Sequence, residues 1–225
     1  MRHVGNDIVD LKTPEAMGKA ADIRFVHRVL NPHEQRLVFN SGHPDTLLWA
    51  LWAAKECAYK AVSKSAPDVS SAPRRYPVIL DLEKIINSAT GIVMTPHGIV
   101  PVKIFFNEEY VHCIGIDGPS NSLKSIVYGM DKISPEKIPE ADSISEKESL
   151  TARKLAKKHI ASCLQIKEQD IQIIRQKNHS GIYPPMIYAK GKMKNMEISL
   201  SHDGRFAAYA FWADNGRGYP QREMH

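Results

Sequence analysis

The sequence lacks the motifs that identify the commonest nucleotide-dependent and zinc-dependent enzymes. No G-x-G-x-x-G, no G-x-x-x-x-G-K-[ST] and no H-E-x-x-H occurs in its 225 residues. These absences argue against Rossmann, P-loop and zincin proteins. The three cysteines lie far apart, and no cysteine–histidine set has the spacing of a zinc finger. We therefore expect free thiols in a cytoplasmic protein.

Long apolar runs are also missing. No apolar segment approaches the length of a membrane span, and the opening MRHVGND carries no signal-peptide core. Hydrophobic residues make up 43% of the chain and charged residues 24%, which is typical of a globular protein with one large or two small domains. The net charge is +5, from scattered basic residues. This balance favours an acidic partner or a phosphate-rich ligand, and we expect neither a nucleic-acid nor a membrane partner.

The first half of the chain predicts a mixed α and β module. The elements expected in chain order are a strand at 3–11, helices at 14–30, 31–42 and 45–64, a loop at 65–77 and a β-meander at 91–116. The helix at 45–64 has the strongest pattern. Its apolar stripe consists of Leu47, Leu51, Ala54, Ala58 and Val62. The neighbouring face carries Trp52, Glu56, Tyr59, Lys60 and Ser63, because residues three and four apart lie over one another.

The second half predicts a similar set of elements after a short linker. The expected elements are the linker at 117–122, strands at 124–133, 171–176 and 184–191, a long helix at 143–164, and a hairpin at 196–212 turned by His202-Asp203-Gly204. The long helix opens with an S-x-x-E capping pattern. A frayed tail is expected at 213–225.

The two halves resemble weak repeats of each other. Residues 104–115 align without gaps on residues 200–211, and VGNDIV near the start echoes YGMDKI near residue 131. Only the first copy has the lysine–glutamate helix, and only the second has Ser201-His202. Such a division is what a site shared between two halves requires.

Three sets of polar residues are candidates for chemistry, and each also has an ordinary structural interpretation. Asp7 lies among apolar residues, where a carboxylate must cap, pair or bind a metal. Glu56 and Lys60 form an i,i+4 pair that, on a surface, contributes only ~0.3–0.5 kcal/mol. Ser201-His202 fits plain turn chemistry. Together, two carboxylates from separate elements offer an oxygen site for Mg²⁺, which completes its shell with water and substrate phosphate.

Read together, these residues resemble the 4′-phosphopantetheinyl transferase superfamily. The family pattern is a G-x-D strand followed by a helix bearing W-[AS]-x-K-E-x-x-x-K. Here it is GND at 5–7 and WAAKECAYK at 52–60. Residues 1–118 resemble the short holo-acyl-carrier-protein synthases, which work as trimers. Residues 124–212 resemble the His-bearing half of the longer surfactin-synthetase-activating type, through ISLSHDGRF at 198–206.

The resemblance implies an α+β fold: a monomeric pseudo-dimer of two similar modules, with the active site in the cleft between them. In the longer type the His-bearing half comes first, so the order here is reversed. The implied activity is transfer of phosphopantetheine from coenzyme A to a serine of an acidic apo carrier protein, with release of 3′,5′-ADP. Such transfer activates carriers of fatty acid, polyketide or nonribosomal peptide synthesis. Which carrier and pathway apply stays open.

The resemblance also implies roles for individual residues. Mg²⁺ is expected on Asp7 and Glu56, and the base is Glu56, Lys60 or a metal-bound water. Lys60 is alternatively a phosphate ligand, and a lysine base would need a lowered pKa. The expected nucleotide-binding residues of the second half are Ser201, His202 and Arg205, with Arg153, Lys157 and Lys158 as weaker candidates for the 3′-phosphate. The basic residues expected to dock the carrier are Arg24 and Arg28.

Three positions depart from the family pattern. The longer type has an acidic residue where this chain has Val9, whereas Asp10 matches an acidic residue of the short type. On a regular strand Asp10 faces away from Asp7, so direct metal ligation by it is not expected. Asn6 replaces an apolar residue, at little cost if it faces solvent or a strand end. The rival interpretations are an inactive relative that binds coenzyme A or carrier protein, a Cys57 nucleophile, which fits better as a small core residue, and a nucleic-acid module.

Overall fold

The computed structural model describes residues 2–81, 87–133, 143–178 and 181–213. Four α-helices are present in this part of the chain: α1 (Ile23–Val29), α2 (Pro32–Phe39), α3 (Pro44–Val62) and α4 (Ile144–Leu164). The strands of the first half are β1 (His3–Asp10), β2 (Val78–Asp81), β3 (Ser88–Thr95), β4 (Gly98–Phe106) and β5 (Tyr110–Asp117). Those of the second half are β6 (Val127–Lys132), β7 (Ile171–Ile174), β8 (Lys177–Asn178), β9 (Gly181–Ile182), β10 (Met186–Ala189), β11 (Lys192–Met193), β12 (Met196–Asp203) and β13 (Phe206–Ala213). The fold is mixed α+β. From residue 214 the expected tail lies outside the described residues.

The prediction of a helix at 14–30 is wrong for the first half of that segment. Only Ile23–Val29 is α-helical, preceded by a 3₁₀ turn at Lys19–Ala21. The Asp45 carboxylate accepts the N–H groups of Gly18 and Ala20, both at 2.7 Å, and Gly18 has the left-handed φ of 69°. A continuous helix would need those N–H groups and cannot hold that φ, so the segment turns before α1 starts.

The other long elements follow their sequence patterns closely. The helix predicted at 45–64 is α3, and the one predicted at 143–164 is α4, whose start is capped by Ser143 accepting from the Glu146 N–H at 3.2 Å. A reciprocal capping box between Asn31 and Glu34 begins α2. The predicted linker at 117–122 runs instead into a 3₁₀ helix at Ser120–Ser125.

The first half forms one antiparallel sheet with strand order β1-β5-β4-β3-β2. Helix α3 packs on one face of this sheet, against β1 and β5. The approach is close at Gly5, where an added Cβ would lie 1.9 Å from the Cys57 carbonyl oxygen. Glycine at this position therefore lets β1 run directly beneath α3, so that Asp7, two residues on, lies beside the helix.

The opposite face of this sheet packs on a second sheet, with order β12-β13-β6. Alternate residues of β1 divide between the two sides. Val4 and Ile8 contribute to apolar clusters with β13, whereas Val9 belongs to the core around α3. Helix α4 covers the outer face of the second sheet. The layers are therefore α3, first sheet, second sheet and α4, and β1 lies at the centre with both faces covered.

The strand order of the second sheet repeats part of the first. In each, a strand that begins its half of the chain pairs with the last strand of a closing hairpin, giving β1-β5-β4 and β6-β13-β12. The pairing differs in register. Gly5 faces Gly115, but Phe211, the residue aligned with Gly115, faces Val127 and not Gly129. The two halves therefore share their strand order, but the corresponding strands pair in different registers.

The three cysteines are free thiols, as expected from their spacing. Cys57 is fully buried in the core around α3, which confirms its interpretation as a small core residue. Within the described ranges, no helix is long and apolar enough to cross a membrane.

Candidate functional site

A cavity of about 230 Å³ brings together candidate residues from both halves of the chain. Its lining residues are Asp7, Ile8, Val9, Thr13, Glu15, Ala16, Trp49, Trp52, Glu56, His202 and Asp203. Asp7 comes from β1, Glu56 from α3 and His202 from the end of β12. Three of the residues singled out from the sequence thus line one cavity, although His202 is almost 200 positions from Asp7.

Asp7 is paired with Lys60 at the α3 face of β1. The Lys60 Nζ lies 2.7 Å from Asp7 Oδ1 and 3.2 Å from the Asn6 carbonyl oxygen. Burial raises the pKa of Asp7, and Lys60 opposes that rise. Burial by itself would lower the pKa of Lys60, but the Asp7 carboxylate outweighs it and the net shift is upward. Lys60 is therefore a cation at neutral pH and holds Asp7 by a charge-assisted hydrogen bond.

Glu56 lies one turn before Lys60 on α3 and is partly buried. Burial raises the pKa of the Glu56 carboxyl, the nearby Asp7 charge raises it further, and Lys60 lowers it. Two carboxylates that repel each other in a small cavity suit a divalent cation. Among the described residues no group of three or more His, Cys, Asp and Glu side chains is arranged around a metal position. Two carboxylates still fit Mg²⁺, which is bound through one or two carboxylates plus phosphate oxygens and water.

His202 reaches the cavity at the end of β12 and is held by a residue that the sequence did not single out. Its Nδ1 lies 3.0 Å from Glu148 Oε2, on α4. The Glu148 side chain is 14% exposed and that of His202 33%. The sequence predicted the helix that carries Glu148, but which face of α4 meets β12 depends on packing between distant segments.

Ser201 and Asn6 lie between the two sheets. The Asn6 N–H donates to Ser199 Oγ at 3.0 Å. In the amide orientation that satisfies its neighbours, the Asn6 side chain also donates to Ser199 Oγ and accepts from Ser201 Oγ at 3.1 Å. Asn6 is fully buried, so it faces neither solvent nor an open strand end. Its hydrogen bonds offset the cost of burying an amide.

Arg205 is bound to Asp10. Its Nε and Nη2 lie 2.8 Å from Asp10 Oδ2 and Oδ1, a bidentate pair, and Nη1 lies 3.2 Å from Glu109 Oε1. The Asp10 N–H in turn donates to Asp203 Oδ2 at 2.8 Å. Asp10 thus faces the second sheet and Asp7 faces α3, as strand alternation predicts. This network joins β1 to the tip of the β12–β13 hairpin beside the cavity.

The lysine next to Glu56 in the helix motif has a structural contact. Lys55 is 1% exposed, and its Nζ lies 2.8 Å and 2.9 Å from the two carboxylate oxygens of Glu34, which is fully buried on α2. The same Nζ donates to the Tyr76 carbonyl oxygen at 2.9 Å. Sequence reasoning missed Glu34, whose only signal was its place in the capping box of α2. Lys55 therefore fixes α2 against α3, away from the cavity.

The remaining basic candidates lie on two helices. Arg24 and Arg28 are exposed on α1, where the Arg28 guanidinium stacks over Phe25 at 5.4 Å. Arg153 on α4 donates to the Ser149 carbonyl oxygen. Lys157 and Lys158, further along α4, are partly exposed and exposed. These residues do not line the 230 Å³ cavity.

Residues 3–87 match the family model described as the 4′-phosphopantetheinyl transferase superfamily. The matched segment includes both motifs, GND at 5–7 and WAAKECAYK at 52–60, so the resemblance inferred from them is confirmed. A search of curated proteins returns no match. Over this segment, which is less than half of the chain, the protein is similar to a superfamily of transferases that act in phosphopantetheine transfer. His202 and Glu148 lie outside the matched residues.

Proposed function

We propose that this chain transfers 4′-phosphopantetheine from coenzyme A to a serine of an apo carrier protein, with release of 3′,5′-ADP. The observation that carries the proposal is the cavity itself. It combines Asp7 and Glu56, from the segment that matches the superfamily, with His202 from the other half of the chain. Carboxylates on one side and an imidazole on the other suit a ligand whose phosphates need both a cation and hydrogen-bond donors.

The proposal includes the two-module architecture: residues 1–118 and 124–212 as similar halves of a pseudo-dimer with the site between them. The repeated strand order and the cavity lined from both halves support it. A chain that already contributes both sides of the cavity needs no second subunit to complete it. We therefore propose a monomer, and sedimentation showing an obligate trimer would contradict this part.

Asp7 and Glu56 are the residues proposed to hold Mg²⁺. A bound Mg²⁺ supplies neutralisation of the charge that develops on the pyrophosphate as coenzyme A is cleaved. Lys60 favours the ionised form of Asp7 and orients its carboxylate through the 2.7 Å contact. Holding the carboxylate in this way makes it ready for a cation without a rearrangement of β1.

Glu56 is the proposed base for the serine proton. Lys60 donates two hydrogen bonds, to Asp7 and to Asn6, and its raised pKa leaves it protonated. A protonated amine cannot accept a proton, so Lys60 contributes charge and a phosphate contact, and the carboxylate of Glu56 accepts the proton. The upward shift of the Glu56 pKa makes it a better base than an exposed glutamate.

Phosphate contacts in the second half are assigned to His202, with Ser201 and Arg205 beside it. The Arg205 side chain is 44% exposed, so part of the guanidinium is accessible beyond its pair with Asp10. Ser201 is 5% exposed and its Oγ donates to the Asn6 side chain, so we assign it the support of β12 next to His202 and no direct phosphate contact. The acidic carrier is proposed to dock on α1, where Arg24 and Arg28 are exposed. The reduced cysteines agree with activity in the cytoplasm.

Mass spectrometry of an apo carrier protein tests the function. The protein is incubated with coenzyme A, Mg²⁺ and carriers of fatty acid, polyketide and nonribosomal peptide synthesis, and each carrier is weighed intact. We expect one of them to gain a single phosphopantetheine, and excess EDTA to stop the gain. Binding of coenzyme A with no mass gain on any carrier would identify the chain as an inactive relative. Full transfer in EDTA would overturn the Mg²⁺ assignment.

A further inference from the structure

The imidazole of His202 is fixed by a contact that crosses from α4 to β12. Glu148 Oε2 lies 3.0 Å from His202 Nδ1, so that nitrogen is occupied. His202 also lines the cavity. Nε2 is therefore the ring nitrogen left to contact a ligand there. The Glu148 side chain is 14% exposed, which places the contact largely out of water.

A carboxylate on Nδ1 determines what the other nitrogen does. It keeps the proton on Nδ1 and fixes the plane of the ring. A phosphate oxygen accepts hydrogen bonds only, so the ring that binds it donates through Nε2 while Nδ1 donates to Glu148.

The contact is not what holds α4 in place. The inner face of α4 packs on β13 through an apolar cluster, whose members include Ala156, Ile160, Tyr209 and Phe211, all buried. That burial remains if Glu148 is changed. A purely structural role for Glu148 would therefore be small, and variants at this position are expected to fold.

We propose that Glu148 is a positioning residue for coenzyme A binding: it accepts from Nδ1 of His202 and fixes the ring, so that Nε2 faces the cavity and donates to a ligand phosphate. The proposal rests on the proposed function for the identity of the ligand. Glu148 acts through His202 and does not itself touch the ligand. Nothing in the sequence motifs marks it, since it lies outside both GND and WAAKECAYK.

Calorimetric titration of coenzyme A tests the role, with three variants. Glu148→Ala should weaken binding about 3- to 10-fold, less than loss of a direct phosphate contact. Glu148→Gln, which keeps an acceptor oxygen but no charge, should lie between Ala and wild type. Glu168→Gln removes the same charge from an exposed position of the second half and should change nothing. Turnover at saturating coenzyme A should stay within about twofold of wild type, since the residue serves binding.

A double-variant cycle decides whether Glu148 works through His202. On a His202→Ala background, adding Glu148→Ala should weaken binding no further, because the positioned group is already gone. Additive losses would overturn the proposal. So would unchanged affinity of Glu148→Ala in a protein that transfers normally.

Nitrogen NMR of the His202 ring gives a readout that needs no ligand and no activity. Wild type should show a proton held on Nδ1, and Glu148→Ala should lose that preference. If wild type transfers nothing to any carrier while this difference is present, the proposed function fails and the positioning of His202 stands. If the ring is the same in both proteins, the positioning role fails whatever the activity.

Discussion

Lys60 Nζ lies 2.7 Å from Asp7 Oδ1, so the longest helix of the first half is joined to β1 at the edge of the cavity. The side chains are 32% and 12% exposed, which is too buried for an ordinary surface pair and too open for a closed core pair. Lys60 also lowers the pKa of Glu56, one turn before it on α3, so the i,i+4 spacing does more than form a surface pair. It places two groups of opposite charge around the same aspartate.

Replacing Glu56 tests the carboxylate of the helix motif. Glu56→Gln should lower transfer by at least about 100-fold, because it removes both a cation ligand and the proposed base with almost no change in volume. The circular dichroism spectrum and melting temperature should stay near wild type. The matched control is Glu108→Gln in the β4–β5 turn, where the side chain is exposed, and it should keep full activity. Transfer at the wild-type rate by Glu56→Gln would show that Glu56 has no role in the reaction.

Removing the Lys60 charge should shift the pH dependence of transfer. Burial raises the pKa of Asp7 and Lys60 opposes the rise, so Lys60→Met should raise that pKa further. The carboxylate then takes up a proton at a higher pH, and the acid limb of kcat/KM against pH should move upward. Lys60→Arg, which keeps the charge, should move it less. If the acid limbs of Lys60→Met and wild type lie at the same pH, Lys60 does not control the pKa of Asp7.

The pair between Asp10 and Arg205 predicts a pH-dependent contribution to stability. Burial by itself would raise the pKa of Asp10, but hydrogen bonds from Arg205 outweigh it and the pKa is lowered. A carboxyl with a lowered folded-state pKa stabilises the fold above its unfolded pKa, about 3.9, and loses that contribution as the pH falls through the folded value. Asp10→Asn should therefore unfold at lower denaturant than wild type at pH 7. The difference should shrink at pH 3, and an equal difference at both would contradict the assignment.

The buried pair of Lys55 and Glu34 should matter for stability and not for chemistry. Lys55→Met leaves the Glu34 carboxylate buried without its cation, which should cost about 3–5 kcal/mol of unfolding free energy. Lys154→Met, at an exposed position of α4, should change it by no more than about 0.5 kcal/mol. Denaturant unfolding measures both. At a temperature where the Lys55 variant is still folded, its turnover should match wild type, and a specific loss there would place Lys55 in the site.

Local patterns predicted the long elements well because each is encoded in one stretch of chain. The apolar stripe of α3 and the alternation of β1 need no knowledge of distant residues, and α3 lies within two residues of its predicted ends. The segment before α1 was mispredicted because its N–H groups are taken by Asp45, 25 and 27 residues away. Residues that favour a helix do not reveal that a distant carboxylate will take up their backbone N–H groups.

Site residues that belong to a sequence motif could be predicted. Residues that are brought to the site or to the core by contacts between distant segments could not. Asp7, Glu56 and His202 were singled out, and all three line one cavity. Glu148 and Glu34 were missed, since each is marked only by the partner it meets in the folded chain, His202 and Lys55. Arg205 was expected at the nucleotide, and its bidentate contact with Asp10 shows that it also joins the two sheets.

The most direct test of a site shared between the two halves is a pair of titrations, coenzyme A and Mg²⁺, on one variant from each half. His202→Ala should raise the apparent coenzyme A constant about 10- to 100-fold, since losing a charge-assisted bond costs roughly 1.5–3 kcal/mol and each 1.4 kcal/mol is tenfold. Asp7→Asn should instead lower turnover and require more Mg²⁺, with a smaller effect on coenzyme A. Coenzyme A affinity that is unchanged in His202→Ala would show that the second half is only a scaffold, and would contradict the shared site.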